Sequence, residues 1–348
     1  MPVRIITDSG SEYKSSDHPA LEVLPLTVAF GDDVYREGVD ITYDQFYELL
    51  AEREEFPSTG QATPFLFQEA LERAREASED VVIITMSSRL SGTYQNACMA
   101  ATAAREAGLD AVRVVDSLNM TLGERIVVQY ALQLVDEGLG ANEIADALEA
   151  SVPRVRIVGL VDTLEYLKRG GRISAAAGTV GELLSIKPVI TVTDGEVIVL
   201  GKARGSKKGR TLLHQEIEKV GGIDFDMPGA LGYSGLSDKT LRKYLEEYRD
   251  VWEGGIAEED LPRSEPQSAS MWAPAALRLP SSPAPRCRLR QYECLVMPKD
   301  SGTLSRKLFI KYPERGYDGC PHYHRFRFRL PAGRTSESRR PAAFHCFW

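Results

Sequence analysis

The sequence is poor in cysteine over most of its length. Of the five cysteines, only Cys98 lies in residues 1–262. A single thiol cannot form a disulfide within that part of the chain, so we expect a reducing, cytoplasmic location. No apolar run reaches the ~20 residues that a transmembrane helix needs. A first strand is already predicted at Val3–Ile6, so we expect no signal peptide before it.

Basic residues are scarce in the same part. The net charge of −8 combines an acidic body, residues 1–262, with a basic tail, residues 263–348. An acidic body disfavours nucleic acid as a partner. The tail is also rich in proline, holds the other four cysteines and lacks helical or strand periodicity. We therefore expect residues 1–152 and 153–262 to form two α/β domains, and residues 263–348 to be an aberrant, disordered tail.

A strand, a polar turn and a helical pattern follow one another repeatedly in the first domain. Val81–Met86 is the clearest strand, because six residues without alternation need apolar cover on both faces. The repeats predict an α/β fold with a mainly parallel sheet, in which ligands lie outside the carboxyl ends of the strands. In the second domain, Asp194-Gly195 between two apolar runs is typical of a hairpin, so we expect a mixed sheet there.

The polar turns carry hydroxyls and carboxylates that we expect to share one edge of the first sheet. The densest turn is Ser87–Tyr94, with the string S-S-R-L-S-G-T-Y at the start of a predicted helix. Helix capping alone is the simpler interpretation, but one hydroxyl is enough for a cap and four are present. Helix N-termini favour anions, so a small carboxylate or phosphate is the expected ligand. The candidate ligand-binding residues are Asp8, Ser9, Thr59, Ser88, Ser91, Thr93 and Ser117.

Five strings, in order along the body, resemble the DegV family. They are T-D-S at Thr7–Ser9, T-G-Q-A-T-P at Thr59–Pro64, S-S-R-L-S-G-T-Y at Ser87–Tyr94, D-S at Asp116–Ser117 and L-K-R-G-G-R-I at Leu167–Ile173. In that family, proteins of the FakB type carry fatty acids to a fatty-acid kinase. The resemblance implies a DegV-like fold in which two α/β domains enclose one acyl chain between them.

The resemblance also implies a function and the residues that perform it. The protein would be a carrier, not an enzyme, that presents a long-chain fatty acid to a fatty-acid kinase for acyl-phosphate formation. It would need no cofactor and no metal, and its cargo is compatible with transient membrane contact. Thr59 and Ser91 match the positions that hold the carboxylate, whereas Arg172 and Arg204 match arginines that face the kinase.

The tail departs from the family pattern. Family members end in a strand and loop of the form I-G-x-x-I-G-x-H-x-G-P-G, whose histidine approaches the bound carboxyl, and this string is absent here. The codons of Met271 and Trp272 are ATG and TGG. Together with the codons of the next three residues, Ala273-Pro274-Ala275, they can read His-Val-Gly-Pro-Gly in the frame that starts on the third base of each present codon. We therefore infer a frameshift near residues 262–264, which leaves the second domain without its last strand.

Other functions stay open on the residues alone. A serine hydrolase acting on acyl substrates through Ser91 would need a base, and the body offers only His18 and His214, neither of them beside a motif. A dinucleotide-binding domain is disfavoured because no G-x-G-x-x-G follows the first strand. In the tail, C-x-H-x-H at Cys320–His324 resembles a metal-binding string, but a shifted frame makes it a chance match.

Overall fold

The computed structural model describes residues 1–173, 185–223, 227–235, 237–252, 292–297 and 345–347. In these residues the strands are β1 (Val3–Asp8), β2 (Leu21–Leu24), β3 (Thr27–Phe30), β4 (Asp33–Arg36), β5 (Ser58–Gly60), β6 (Asp80–Thr85), β7 (Val112–Asp116), β8 (Arg156–Leu160), β9 (Ile186–Thr193), β10 (Glu196–Arg204), β11 (Ala230–Ser234), β12 (Tyr292–Met297) and β13 (His345–Phe347). The helices are α1 (Tyr43–Glu52), α2 (Pro64–Glu76), α3 (Thr93–Glu106), α4 (Leu122–Asp136), α5 (Ala141–Ser151), α6 (Glu165–Arg169), α7 (Ser206–Lys219), α8 (Lys239–Glu247) and α9 (Arg249–Trp252). None of these described helices combines the length and the apolar character needed to cross a bilayer.

The first sheet is the parallel layer of the predicted α/β fold. Its strand order is β2-β1-β6-β7, and every neighbouring pair runs parallel. Successive residues of β6 point to opposite faces, so Val82 and Ile84 pack with α4 and α5 while Val81 and Ile83 pack with α2 and α3. Apolar cover on both faces explains why β6 is an unbroken apolar run. The carboxyl ends of β1, β6 and β7 consequently meet at one edge.

A small antiparallel sheet brings a predicted loop into regular structure. Its order is β4-β3-β5, and Thr59 of β5 lies opposite Val28 of β3. The sequence predicts a loop over residues 57–64, because three residues are too few to show strand periodicity. Pairing with β3 fixes the position of Thr59, and Pro64 then starts α2 as predicted.

The third sheet belongs to the second half of the chain and is mixed, as predicted. Its order is β10-β9-β8-β12-β11-β13, and among the described residues only the short pairings of β13 with β8 and β11 are parallel. Asp194 and Gly195 join β9 to β10 with φ values of 50° and 81°. Two positive φ values are what a type I′ turn requires, so the predicted hairpin is confirmed.

The sequence predicts that the second domain lacks its last strand, but the structure has a strand between β8 and β11. Here β12, from the tail, runs antiparallel to both neighbours. The still shorter β13 also pairs with both, opposite Val158 and Leu231. Two strands with open facing edges take up an extended segment, because their N–H and C=O groups need partners. The remainder of the tail, including Cys320–His324, lies outside the described residues.

Candidate functional site

The turn between β6 and α3 carries three of the candidate hydroxyls. The Ser91 hydroxyl lies 2.9 Å from the Thr93 hydroxyl and accepts a hydrogen bond from the Thr93 amide at 3.2 Å. Thr93 is buried, whereas Ser88 and Ser91 are half-buried. The Ser88 hydroxyl has no hydrogen-bond partner among the described residues. Since the first turn of α3 also has N–H groups that no helix carbonyl can pair, the turn presents hydroxyls and amide donors together.

The segment from Thr59 of β5 to the start of α2 is fastened to the start of α3. The side-chain amide of Asn96 donates to the Ala62 carbonyl at 2.8 Å. Gln61 packs against Gly92, where a Cβ atom would overlap the Gln61 amide oxygen. Thr59 is half-buried, and its hydroxyl has no hydrogen-bond partner in the part of the chain that the structure describes. The segment that begins at Thr59 therefore lies alongside the β6–α3 turn.

Asp8, at the end of β1, is fully buried. Its carboxylate accepts hydrogen bonds from the Gly10 amide at 3.0 Å and from the Met86 amide at 3.1 Å, which ties the end of β1 to the end of β6. Burial raises the pKa of Asp8 to about 6, and the two amide bonds limit that rise. Asp8 thus joins the turns that follow β1 and β6 through two buried hydrogen bonds.

Ser9 and Ser117 are buried as well, and their hydroxyls are used within the chain. The Ser9 hydroxyl donates to Glu37 Oε2 at 2.5 Å and accepts from the Leu26 amide at 3.0 Å. The Ser117 hydroxyl donates to the Asn119 carbonyl at 3.2 Å and accepts from the Asn119 amide at 3.1 Å. Both serines build the turns that follow their strands, so neither hydroxyl is available to a ligand in this structure.

Glu124, in the first turn of α4, is a buried acid at the same edge that the sequence analysis misses. Its Oε1 accepts a hydrogen bond from the Thr7 hydroxyl at 3.2 Å, and its Oε2 has no partner among the described residues. Burial, followed by the nearby charge of Asp8, raises the pKa of Glu124 well above its usual range. The surroundings of Glu124 therefore favour its protonated form. The sequence signal that could have identified Glu124 is a carboxylate among the apolar residues of Leu122–Val128.

The second half of the chain reaches the β6–α3 turn at two points. The Ser87 hydroxyl donates at 2.8 Å to the carbonyl of Gly195, at the tip of the β9–β10 hairpin. Arg172 Nε donates to the Leu90 carbonyl at 3.1 Å, and Arg172 Nη1 donates to the Gly170 carbonyl at 2.5 Å. Arg172 is half-buried, and this burial lowers its pKa. The turn with the candidate hydroxyls is thus held by both halves of the molecule.

Arg204, the other arginine expected to face a partner, has different surroundings. It lies at the end of β10 and is exposed to solvent. Its guanidinium makes no ion pair or hydrogen bond within the described ranges. Of the two arginines, Arg204 is the one that the fold leaves open to another molecule.

Among the described residues, no base for a serine nucleophile lies beside Ser91. His18 bonds to the carboxylate at the end of α4, and His214 stacks on Tyr248 with ring centroids 4.0 Å apart. In the described part of the chain, the Ser91 hydroxyl bonds only to a neighbouring threonine. No group of three side chains that could hold a metal ion occurs there either. The described residues thus offer hydroxyls, but no serine–histidine pair.

The fold and its polar edge define an α/β protein with a hydroxyl-rich site at the carboxyl ends of parallel strands. A sequence profile of the DegV family, which is described as a family of uncharacterised proteins, matches residues 2–243. The chain belongs to the DegV family.

Relatives and solved structures agree with this assignment. A DegV domain-containing protein of Caldanaerobacter subterraneus subsp. tengcongensis is 35% identical over 225 residues, which are 64% of this chain and 79% of the relative. A DegV family protein from Thermus thermophilus, solved in a study of its fatty acid binding, is 28% identical, with a TM-score of 0.68 over 84% of this chain and 99% of its own. The Streptococcus pneumoniae Fatty Acid Kinase (Fak) B3 protein, solved with linoleic acid, has a TM-score of 0.69 at 22% identity, over 84% of this chain and 99% of its own. At that identity the last similarity shows the fold alone.

Proposed function

We propose that this protein is a cytoplasmic carrier that binds a long-chain fatty acid and presents it to a fatty-acid kinase. The observation that carries the proposal is that Thr59 and Ser91, two half-buried residues with hydroxyl groups, lie on segments that are fastened together. Both hydroxyls have hydrogen-bonding capacity to spare, and a carboxylate can accept from each of them. The Thermus thermophilus relative, which binds fatty acid, supports this ligand.

Apolar side chains flank the turn from both halves of the chain. Leu90 and Met120 from the first half are buried in one cluster with Ile173, Val192 and Val197 from the second. We propose that the acyl chain lies between the two halves, against this cluster. Burial is worth about 0.8 kcal/mol per CH₂, so a C16 chain contributes on the order of 10 kcal/mol before ordering costs. The acyl chain then supplies most of the affinity, and the hydroxyls fix the head group.

Presentation to a kinase is the second part of the proposal. The kinase would transfer the terminal phosphoryl group of ATP to a carboxylate oxygen, which yields an acyl phosphate and ADP. Arg204 suits the contact with such a partner because it is an exposed cation that is not engaged by the described chain. The fold that this chain shares with the Streptococcus pneumoniae Fatty Acid Kinase B3 protein fits the same role.

The ligand is tested on the purified protein. Native mass spectrometry should detect a co-purified fatty acid, and palmitate should displace a fluorescent acyl probe, whereas hexanoate should not, because its chain buries too few CH₂ groups. Failure of palmitate to displace the probe, together with an empty mass spectrum, would contradict the proposal. Hydrolysis of a nitrophenyl acyl ester that Ser91→Ala abolishes would instead favour the hydrolase.

The kinase partner is tested at saturating palmitate. Arg204→Ala should slow phosphorylation of the bound acid several-fold while leaving palmitate affinity unchanged, because an exposed charge mainly steers and orients an encounter. Arg242→Ala, which removes another exposed arginine, in α8, serves as the matched control. Equal phosphorylation rates for the two variants would show that Arg204 does not belong to the surface that contacts the kinase.

We also propose that the tail, residues 263–348, is read from a shifted frame and that the correct frame supplies a different strand between β8 and β11. In support, the described ranges of the first 252 residues contain β8 and β11 but no strand that lies between them and pairs with both. Sequencing the gene across the codons of residues 261–270 tests the premise. If the present sequence is confirmed, and the tail resists limited proteolysis as well as the body does, the frameshift inference is wrong.

A further inference from the structure

The small sheet that carries Thr59 has a hydrophobic cluster of its own, here called the small-sheet cluster. This cluster joins Val28 and Phe30 of β3, and buried side chains in and just before α1, with Tyr166, which belongs to α6 in the second half of the chain. Ser91, by contrast, follows β6, whose apolar residues belong to the two clusters on the faces of the first sheet. The two proposed head-group hydroxyls therefore stand on parts of the molecule with different cores.

Tyr166 reaches the segment before Thr59 through the ring of Phe56. The two rings stack with their centroids 4.7 Å apart and their planes inclined by 29°. The guanidinium carbon of Arg169, one turn further along α6, lies 4.8 Å from the centroid of the Phe56 ring. Aromatic stacking and cation–π attraction both stabilise a defined ring position. Two side chains of α6 thus hold Phe56.

The link from Phe56 to Thr59 is short and stiff. Only Pro57 and Ser58 lie between them, and Pro57 is buried. Proline fixes its own φ and restricts the residue before it. Thr59 lies opposite Val28, and directly opposite residues of an antiparallel pair share a face, which here is the face with the small-sheet cluster. A displacement of Phe56 is therefore passed on to Thr59, because no flexible link can absorb it.

We propose that the stack of Phe56 on Tyr166 sets the position of Thr59 relative to Ser91, and so determines how well the two hydroxyls together bind the carboxylate of the ligand. The inference rests on the proposed fatty-acid binding. Hydrogen bonds weaken steeply with distance and misalignment, so a shift of Thr59 by about 1 Å removes most of its bond to the head group. Phe56 and Tyr166 act through Thr59, so they are positioning residues that do not need to touch the ligand.

The test compares palmitate with hexadecanol, which has an equally long chain but no carboxylate. Phe56→Leu keeps an apolar side chain and removes the ring, so palmitate affinity should fall about fivefold, while hexadecanol affinity should stay within about twofold. Phe56→Tyr keeps a ring and should bind palmitate as the wild type does. Tyr248→Leu is the matched control, because it removes a ring from the stack with His214 in α7 and should change neither affinity.

A double-mutant cycle separates positioning from a general loss of stability. Because the stack acts through Thr59, Phe56→Leu should weaken palmitate binding no further when it is combined with Thr59→Ala. A loss that persists in the Thr59→Ala background would overturn the inference. Unchanged palmitate affinity in Phe56→Leu, or an equal loss for palmitate and hexadecanol, would overturn it as well.

Hydrogen exchange examines the stack in lipid-free protein. The amides of residues 58–60 should exchange faster in Phe56→Leu than in Tyr248→Leu, because β5 is an edge strand that pairs, within the described sheet, with β3 alone. Equal exchange in the two variants would contradict a positioning role for the stack. If the wild type binds neither palmitate nor hexadecanol, the proposed function fails, and the exchange experiment still decides whether the stack holds β5.

Discussion

Ser9 and Ser91 each follow a strand of the first sheet, but their hydroxyls have different surroundings. Ser9 is 5% exposed and uses its hydroxyl both as donor and as acceptor. Ser91 is half-buried and bonds, within the described ranges, only to Thr93. A buried hydroxyl with both functions used stabilises the fold, whereas a half-buried hydroxyl with spare capacity can serve a ligand. Under the proposed function, equivalent turns of one sheet therefore divide stability and binding between them.

The largest expected effect belongs to Ser9. Ser9→Ala should lower the free energy of unfolding by about 2–4 kcal/mol, because two buried hydrogen bonds are lost and the Leu26 amide loses its acceptor. Urea unfolding measures the change. Ser58→Ala, at the exposed start of β5, is the control and should stay within about 0.5 kcal/mol of wild type. A loss of less than about 1 kcal/mol for Ser9→Ala would contradict the conclusion that the Ser9 hydroxyl, unlike that of Ser91, stabilises the fold.

Asp8 should make the stability of the buried turn depend on pH. Its pKa is about 6 in the folded protein, against an ordinary value of 3.8, so between these pH values the folded state binds more protons than the unfolded state. The contribution of Asp8 is therefore full below about pH 4 and is lost as the pH rises through about 6. A shift of this size corresponds to about 3 kcal/mol.

The measurement is urea unfolding between pH 4 and pH 7, with wild type and Asp8→Asn compared at each pH. Asparagine does not titrate, so the variant should lack this fall, although it loses one of the acceptors for the Gly10 and Met86 amides. Asp110→Asn, at an exposed position, should keep the wild-type profile. Parallel profiles for wild type and Asp8→Asn would show that Asp8 does not carry this proton.

Features with a local signal could be predicted from the sequence. Asp194 and Gly195 form the expected turn because both residues tolerate positive φ. Pro64 begins α2 because its fixed φ and missing N–H suit the first helical position. The apolar run of β6 identifies a strand buried on both faces. In each case a few neighbouring residues determine the backbone.

Features that depend on distant contacts could not be predicted. Nothing near Ser9 in the sequence shows that Glu37 will take its proton, and nothing near Leu90 shows that Arg172 will reach its carbonyl. The sequence predicts a loop at Thr59, because β5 forms only through its pairing with β3. The separation of hydroxyls into buried and available groups therefore emerges with the tertiary fold.

Thr59 and Ser91 should show the opposite behaviour to Ser9. Thr59→Ala and Ser91→Ala should each weaken palmitate binding about tenfold, because a hydrogen bond to a charged carboxylate is worth roughly 1.5–3 kcal/mol. The free energy of unfolding should change by less than about 0.5 kcal/mol in the absence of lipid, because neither side chain is fully buried. Probe displacement and urea unfolding give the two quantities, and Ser58→Ala is again the control. Wild-type affinity in both variants would place the head group elsewhere.

The smallest effect should come from Glu124→Gln. The raised pKa favours the protonated form of Glu124, and glutamine replaces this form with a neutral group of the same shape that keeps an acceptor for the Thr7 hydroxyl. We expect the free energy of unfolding at pH 7 to stay within about 1 kcal/mol of wild type. The raised pKa means that the contribution of Glu124 to stability is lost as the pH rises through the pKa of the folded protein, so the variant should become the more stable protein in alkaline solution.

Thermal unfolding at neutral and alkaline pH measures both effects, with Glu137→Gln, exposed just after α4, as the control. A loss above about 2 kcal/mol at pH 7 would mean that Glu124 is ionised in the folded protein, and the buried acids at this edge would then need a bound cation to balance them.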